Sequence, residues 1–361
     1  MKKQYFRKMF EIIAAVLTAA IFITGCGIYE DYTMADMAMG TVFTVHYIAI
    51  GSGTGIQVQN ELYAADDELE DNILSRRVVG SELYLLNQSA GSQDGYELSA
   101  ELEDYLLLCL ELSEKTDGAF DVTVGALAEL WGIDEAAMNP EDFELPSAEA
   151  VDFACNNCGY EKVEISEHRI YIPEGLIIDL GAVGKGIYLS RAHDIFGDRV
   201  KYGIVSAGGS ILTYGYKDGG QPWNVGIADP ANTDKVIANL RLDGSFFVST
   251  SGDYERFVEY DGIRYHHILN VATGYPADSG ISSVTAVIPT DKDWKGYFKR
   301  DYATLDNKDI GGLMSDAITT AIFVLGEEEG MKLAAEYNVE VLLVRNDGST
   351  VMSDGMVKYI Y

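Results

Sequence analysis

The segment DLGAVGKGIYLSRA, Asp179 to Ala192, sets three glycines around Lys185, with an apolar run before it and an amphipathic run after it. A strand ending in Asp179, a turn through Gly181, Gly184, Lys185 and Gly186, and a helix to Phe196 would aim backbone N–H groups and one ammonium at an anion. A glycine-rich turn with a solvent-facing lysine fits the same residues. Neither common nucleotide signature matches. A Walker loop needs glycine, four residues and then Gly-Lys-Ser/Thr, whereas Gly181 stands three positions before Gly184, and Gly186 takes the place of the metal-binding hydroxyl. The dinucleotide pattern G-x-G-x-x-G also fails.

Outward from this turn, the spacing predicts strands at KVEIS, RIYI and LIIDL before it, and at YGIVSAGGSILTYGY, WNVGIAD, VIANLRL, SFFVSTSG, RFVEYDG and SVTAVIP after it. They are short, bounded by turns and mostly alternating, which suits antiparallel pairing. Towards the N-terminus, GTVFTVHYIAI alternates as a half-buried strand, and Ile56 to Leu74 and Ser99 to Thr116 carry apolar residues at helical spacing, with a further helix after Pro146. Helices return at Ser315 to Leu325 and Glu327 to Tyr337, followed by VEVLLVRND. Strands and helices are partly segregated and no Pro/Gly/Ser linker divides them. The expected fold is therefore α+β, a single integrated domain of mostly antiparallel strands with flanking helices.

Residues 1–25 are expected to lie outside that domain. Lys2, Lys3, Arg7 and Lys8 precede the apolar stretch Ile12 to Ile23, as in a secretory signal. The run ends in ITGC, which resembles a bacterial lipobox and makes Cys26 the expected lipidated first residue of a 26–361 mature chain. That chain would be anchored to the outer side of the cytoplasmic membrane, on its periplasmic or extracellular face. An uncleaved membrane anchor is the alternative. The net charge of −31 excludes nucleic acid as an expected partner, because phosphate binding at physiological salt needs clustered Lys and Arg. An anionic ligand would need a local device such as a metal ion, backbone N–H groups or a helix start. Cys155 and Cys158 have the spacing of a zinc half-site or a redox pair, but no second Cys/His pair lies near to complete a zinc site; buried thiols or a local disulfide are expected. Cys109 falls on an apolar helix face.

Other stretches carry chemistry. In SDAITTAIFVLG, Asp316 and Thr320 are four apart on one helix face, two hard oxygen donors suited to Mg²⁺, although Ser315 or Asp316 capping the helix explains them equally simply. In VSAGGS, Gly208 and Gly209 between apolar strands mark a close approach or a bulge. TSGDYERF with RYHHILNVATGYP gathers Arg256, Arg264, His266 and His267; in an alternating strand the two histidines face opposite ways, so at most one enters a site.

Taken in order, MGT (Met39 to Thr41), GAFDVTVGAL with LWG (Gly118 to Gly132), DLGAVGKG, AGG, SGDYERF, YHHILNVATGYP and SDAITTAIFVLG resemble the ApbE family of FAD:protein FMN transferases, from about Met34 to the C-terminal strand. The resemblance implies a T-fold-related domain that uses FAD as substrate and Mg²⁺ as cofactor. Such enzymes split the FAD pyrophosphate, attach FMN to a Thr or Ser of an acceptor protein and release AMP. By motif position it implies that Asp316 and Thr320 are metal ligands, with Thr319 beside them and the Ala182 carbonyl completing the set. Met39, Ala119, Phe120, Asp121, Asp179, Lys185 and Leu269 match FAD-contacting positions, and Gly208 and Gly209 would admit the flavin. His267 would activate the acceptor hydroxyl. The chain departs from the family at Arg76 and Arg77, near where an aromatic residue often stacks on FAD. Two other activities use the same residues: a Mg²⁺-dependent FAD pyrophosphatase, and a flavin-binding lipoprotein without catalysis.

Overall fold

The computed structural model describes residues 29–361, so the leader and Cys26 lie outside the described residues. The chain opens with a hairpin, β1 (Tyr29–Ala38) and β2 (Thr41–Ile50), joined by Met39 and Gly40. Both turn residues have positive φ, 46° and 73°, as a two-residue turn needs if it is to follow the strands' twist. Methionine at such a position is unusual, and it holds the Met39 side chain at the tip of the hairpin.

The main strands that follow are β3 (Val200–Ala207), β4 (Ser210–Tyr214), β5 (Trp223–Asp229), β6 (Asn232–Leu242), β7 (Phe246–Gly252), β8 (Phe257–Tyr260), β9 (Ile263–His266), β10 (Ile281–Pro289), β11 (Glu340–Arg345) and β12 (Thr350–Met352), besides a small three-stranded sheet of Tyr96–Glu97, Glu164–Ser166 and Arg169–Tyr171 and a short pair, Leu269–Asn270 with Tyr275–Pro276. Eight form one sheet in the order β1-β2-β3-β4-β7-β10-β11-β12, and every neighbouring pair is antiparallel. The expected α+β class is the observed one. Alternation sends the two sides of each strand to different partners. Phe247, Val284, Ala286 and Leu343 pack under helices, while Phe246, Val248, Val287 and Leu342 meet Trp223, Val225, Ile227, Leu240 and Leu242 of the β5–β6 ribbon. Covering both faces removes each large apolar side chain from water, worth roughly 1.5–3 kcal/mol apiece.

The helices are α1 (Thr54–Asp67), α2 (Glu82–Gln88), α3 (Ala100–Lys115), α4 (Gly125–Trp131), α5 (Ile133–Met138), α6 (Ala148–Asn156), α7 (Gly184–Phe196), α8 (Asn307–Leu325) and α9 (Glu327–Glu336). Several details differ from the sequence pattern, among them a π-helical turn over Glu68–Leu74 at the end of the expected Ile56 to Leu74 helix. LIIDL makes only an isolated bridge, Ile177 with Val124, because a side chain replaces the ladder: the Asn87 amide bonds both the N–H and the carbonyl of Ile178. Helix α8 begins at Asn307, well before Ser315, because Asp306 and Asp309 form a capping box that starts it upstream.

Helices α7 and α8 cross at Gly186 and Gly312. A Cβ on Gly186 would collide with the Gly312 carbonyl, and one on Gly312 with the Gly186 carbonyl. The entry to α8 is also fixed from below, since the buried Asp104 of α3 accepts from Thr304 N and Oγ1 at 2.6 and 2.7 Å. Gly186→Ala is therefore expected to destabilise by about 1–3 kcal/mol or more, the range for overpacking a close contact, read as a lowered thermal midpoint. A midpoint equal to that of the parent protein would show that the helices can part freely.

Candidate active site

The crossing delivers Asp316. It lies in the body of α8, so it is not the cap of that helix. One carboxylate oxygen accepts the Gly186 N–H at 2.7 Å and the other the Ser210 hydroxyl at 2.6 Å. Its residue exposure is 4%, and among the described residues no Lys or Arg forms an ion pair with it. Thr320, one turn on, is partly exposed with its hydroxyl 3.3 Å from the Asp316 carbonyl. Thr319 is fully buried and turns into the helix–sheet seam, bonded to Ser251 and to the Asp316 carbonyl at 2.8 Å each. Of the two threonines, only Thr320 keeps an accessible side.

The glycine turn is not a cradle built from glycine N–H groups. Gly181 N–H donates to Asp179 Oδ1, Gly184 N–H to the Leu180 carbonyl, and Gly186 N–H to Asp316. These glycines serve close packing instead, and the cationic device that remains is the Lys185 side chain. Ala182 lies in the turn just before α7. Asp179 is held in turn: its Oδ2 accepts Arg76 Nε at 2.5 Å, and Arg76 also reaches Glu129 at 2.9 Å. Arg77 donates to Asp134 at 2.8 Å. Both arginines are engaged by carboxylates, Arg76 through a side chain only 6% exposed and Arg77 through one 48% exposed.

A cleft of about 410 Å³ gathers Met39, Lys185, Gly208, Gly209, Glu255 and Arg256 against Val225 to Ala228 of β5. Gly208 has φ 60°, and a side chain on Gly209 would strike the Glu255 carboxyl, so both glycines are needed for the wall to close. Glu255 is the residue the sequence pattern did not flag, although it stands inside SGDYERF beside Arg256. Burial pushes its carboxyl upward against the pull of Lys185 and Arg256, with Asp316 adding to the rise.

His267 adjoins Arg256, which lines the cleft. Its backbone N–H and its Nδ1 both face the Arg256 carbonyl, at 3.1 and 3.2 Å. Burial, reinforced by the Arg256 guanidinium, holds its pKa well below the ordinary value. A neutral ring that gives its Nδ1 proton to a carbonyl keeps a lone pair on Nε2. His266 faces the core, edge-on to Phe323, with Nε2 on the Ala277 carbonyl and Nδ1 accepting from Ile268 N–H. The two histidines do separate.

Ala119, Phe120, Asp121, Asp179 and Leu269 are not among the residues lining this cleft. Phe120 is buried, and Asp121 accepts from Thr123 and Tyr160, bracing the turn that leaves Ala119 partly exposed. Leu269 packs in a smaller core with Leu127 and Trp131. Cys155 and Cys158 are both free thiols, and Cys109 is buried.

The geometry of His266 yields a pH dependence. Its pKa is pulled down from 6.5 to about 4 by burial, so the unfolded chain takes up this proton well before the folded one. The contribution is whole above pH 6.5, declines as pH falls and is gone below about pH 4, amounting to roughly 3 kcal/mol. Denaturant titrations should show a shallower loss of stability between pH 7 and pH 4 for His266→Gln, whose amide can still donate to Ala277. Parallel pH profiles would remove His266 as the source.

The ApbE family model matches residues 39–294, and the chain belongs to the ApbE family. Its relatives include proteins named FAD:protein FMN transferase from Treponema pallidum, 29% identical over 91% of this chain and 88% of the relative, and from Vibrio cholerae, 28% identical over 91% and 92%. Among solved structures, an ApbE protein of Thermotoga maritima superposes with a TM-score of 0.77 at 30% identity, covering 92% of this chain and all of that one. The flavin transferase ApbE of Vibrio cholerae gives a TM-score of 0.73 at 26% identity, over 92% and 99%.

Proposed function

We propose that this protein is an FAD:protein FMN transferase that moves FMN from FAD to a Thr or Ser hydroxyl of an acceptor protein and releases AMP. The observation that carries this, within the family, is the buried Asp316 without a cationic partner beside a cleft bearing Lys185. A carboxylate in that position is poorly compensated unless a cation joins it. Among the described residues no group of three or more His, Cys, Asp and Glu side chains makes a metal cage. The residues that would hold Mg²⁺ are Asp316, Thr320 through its hydroxyl and Ala182 through its carbonyl, all hard oxygen donors of the kind that ion takes. Bound there, Mg²⁺ supplies charge neutralisation to the pyrophosphate.

The protein's own groups do the rest. Lys185 offsets phosphate charge in the cleft. His267 Nε2 takes the proton of the acceptor hydroxyl as its oxygen bonds to the FMN phosphorus and the pyrophosphate P–O bond to AMP breaks. Met39 at the hairpin tip, Ala119, Phe120, Asp121, Asp179 and Leu269 shape the FAD site, and Gly208 and Gly209 make room for the flavin. The same proposal places the 26–361 chain on the outer face of the cytoplasmic membrane through a lipid on Cys26. Incubating the protein with FAD, Mg²⁺ and membrane proteins of its source, then reading acceptor masses, tests the transfer. Free FMN and AMP without adducts would mean a pyrophosphatase instead, and unchanged FAD a binding protein.

Asp316→Asn separates charge from shape. Its amide oxygen can accept from Gly186 and its NH₂ can donate to Ser210, so the fold should survive while the cation loses its anchor. Transfer should fall by at least two orders of magnitude, about 3 kcal/mol in the barrier, and raised Mg²⁺ should recover little of it. Thr320→Val should follow more mildly. An Asn variant that flavinylates at the parent rate would put the ion elsewhere.

A further inference from the structure

Three chain segments far apart in sequence meet at one carboxylate. Asp134 in α5 accepts Arg256 Nη1 on Oδ1 and Arg77 Nη2 on Oδ2, each at 2.8 Å. Arg77 follows Arg76, which is fastened to Asp179 at the start of the lysine turn. Arg256 lines the cleft, and its carbonyl receives both the backbone N–H and the Nδ1 of His267. Asp134 thus ties the Arg76–Arg77 segment, fastened to the lysine turn, to the segment of Arg256 and His267.

Stability is a poor explanation for the arrangement. The side chains of Arg77, Asp134 and Arg256 are 48%, 25% and 36% exposed, and pairs this open to solvent contribute about 0–1 kcal/mol each. What the bridge does supply is position. Arg256 feels Glu255 as a neighbouring charge inside the cleft. Released from Asp134, its long side chain would be drawn towards that carboxyl, and the backbone that orients His267 would lose its outer support. Arg77 supplies a second positive partner at Asp134 and ties it to the turn that carries Arg76.

We propose that Asp134 is a positioning residue for the transfer reaction, holding Arg256, and through its carbonyl His267, in register with the lysine turn, with Arg77 as its second anchor. This inference rests on the proposed transferase activity. A group that acts through geometry at the reacting atoms affects turnover more than ground-state binding.

The test uses the full chain with FAD, Mg²⁺ and membrane proteins of its source, with covalent flavin read by in-gel fluorescence, FAD affinity by calorimetry and folding by thermal midpoint. Asp134→Asn should lower kcat by about tenfold or more, the scale of a small misplacement. It should leave FAD affinity within about twofold, since the pyrophosphate contacts are made by other groups. Arg77→Gln should fall between that variant and the parent, and Arg77→Lys, which keeps the charge, should recover most of the rate. Unchanged kcat in Asp134→Asn overturns the proposal. So does a loss of rate that tracks a proportionate loss of FAD affinity and thermal midpoint, which would mark an ordinary structural pair. If the parent protein makes no covalent flavin, the transferase assignment fails first, and the effect of Asp134 on FAD affinity does not enter.

Discussion

The close crossing of α7 and α8 at Gly186 and Gly312 is the constraint on which the site depends. Two helix backbones approach so nearly that neither position has room for a methyl group. The approach has a chemical product: Asp316 reaches the Gly186 N–H across the seam while Ser210, from the adjacent strand, binds its other oxygen. A carboxylate held by two donors from two elements has little freedom to turn. That rigidity is what a site needs if a charge is to be met at one fixed point. The elements that make the crossing possible are remote from it: the capping box at Asp306 and the grip of Asp104 on Thr304 set where α8 begins and how it lies.

The second constraint is electrostatic. A protein with a net charge of −31 must present positive charge to a phosphate ester without leaving its cations to collapse onto the nearest acid. Here each guanidinium near the cleft is assigned a carboxylate: Arg76 to Asp179 and Glu129, Arg77 and Arg256 to Asp134. These pairs add little energy, because most are partly open to water. They fix direction instead. Lys185 lies in the cleft with Glu255, where burial raises the carboxyl and the lysine opposes the rise. The local field therefore depends on which of these groups a ligand displaces.

Much of this was legible in the sequence, for identifiable reasons. Period-two alternation gave the antiparallel strands, and the i, i+4 spacing put Asp316 and Thr320 on one face, since both follow from local geometry alone. The glycine turn was visible but its use was not. Its glycines read as anion ligands because nothing local shows that Gly312, far along the chain, will press against Gly186. Likewise the spacing favours Thr320 over Thr319, but only the fold shows that Thr319 is fully buried while Thr320 stays partly exposed, Ser251 lying within reach of both hydroxyls. Glu255 carried a signal in its place between Tyr254 and Arg256, yet an acid in an acidic chain stands out only when it is found half-buried in a cleft beside Lys185.

Arg76 and Arg77 show how a site can be framed by charge. An aromatic ring shapes a ligand site by contact, which needs an open face. A guanidinium pair shapes it at one remove, by holding other segments, which needs acceptors. The acceptors are present on both sides, Asp179 and Glu129 for one arginine and Asp134 for the other. Arg77, Asp134 and Arg256 therefore form one charge bridge, which joins the segment fastened to the lysine turn with the segment that carries His267.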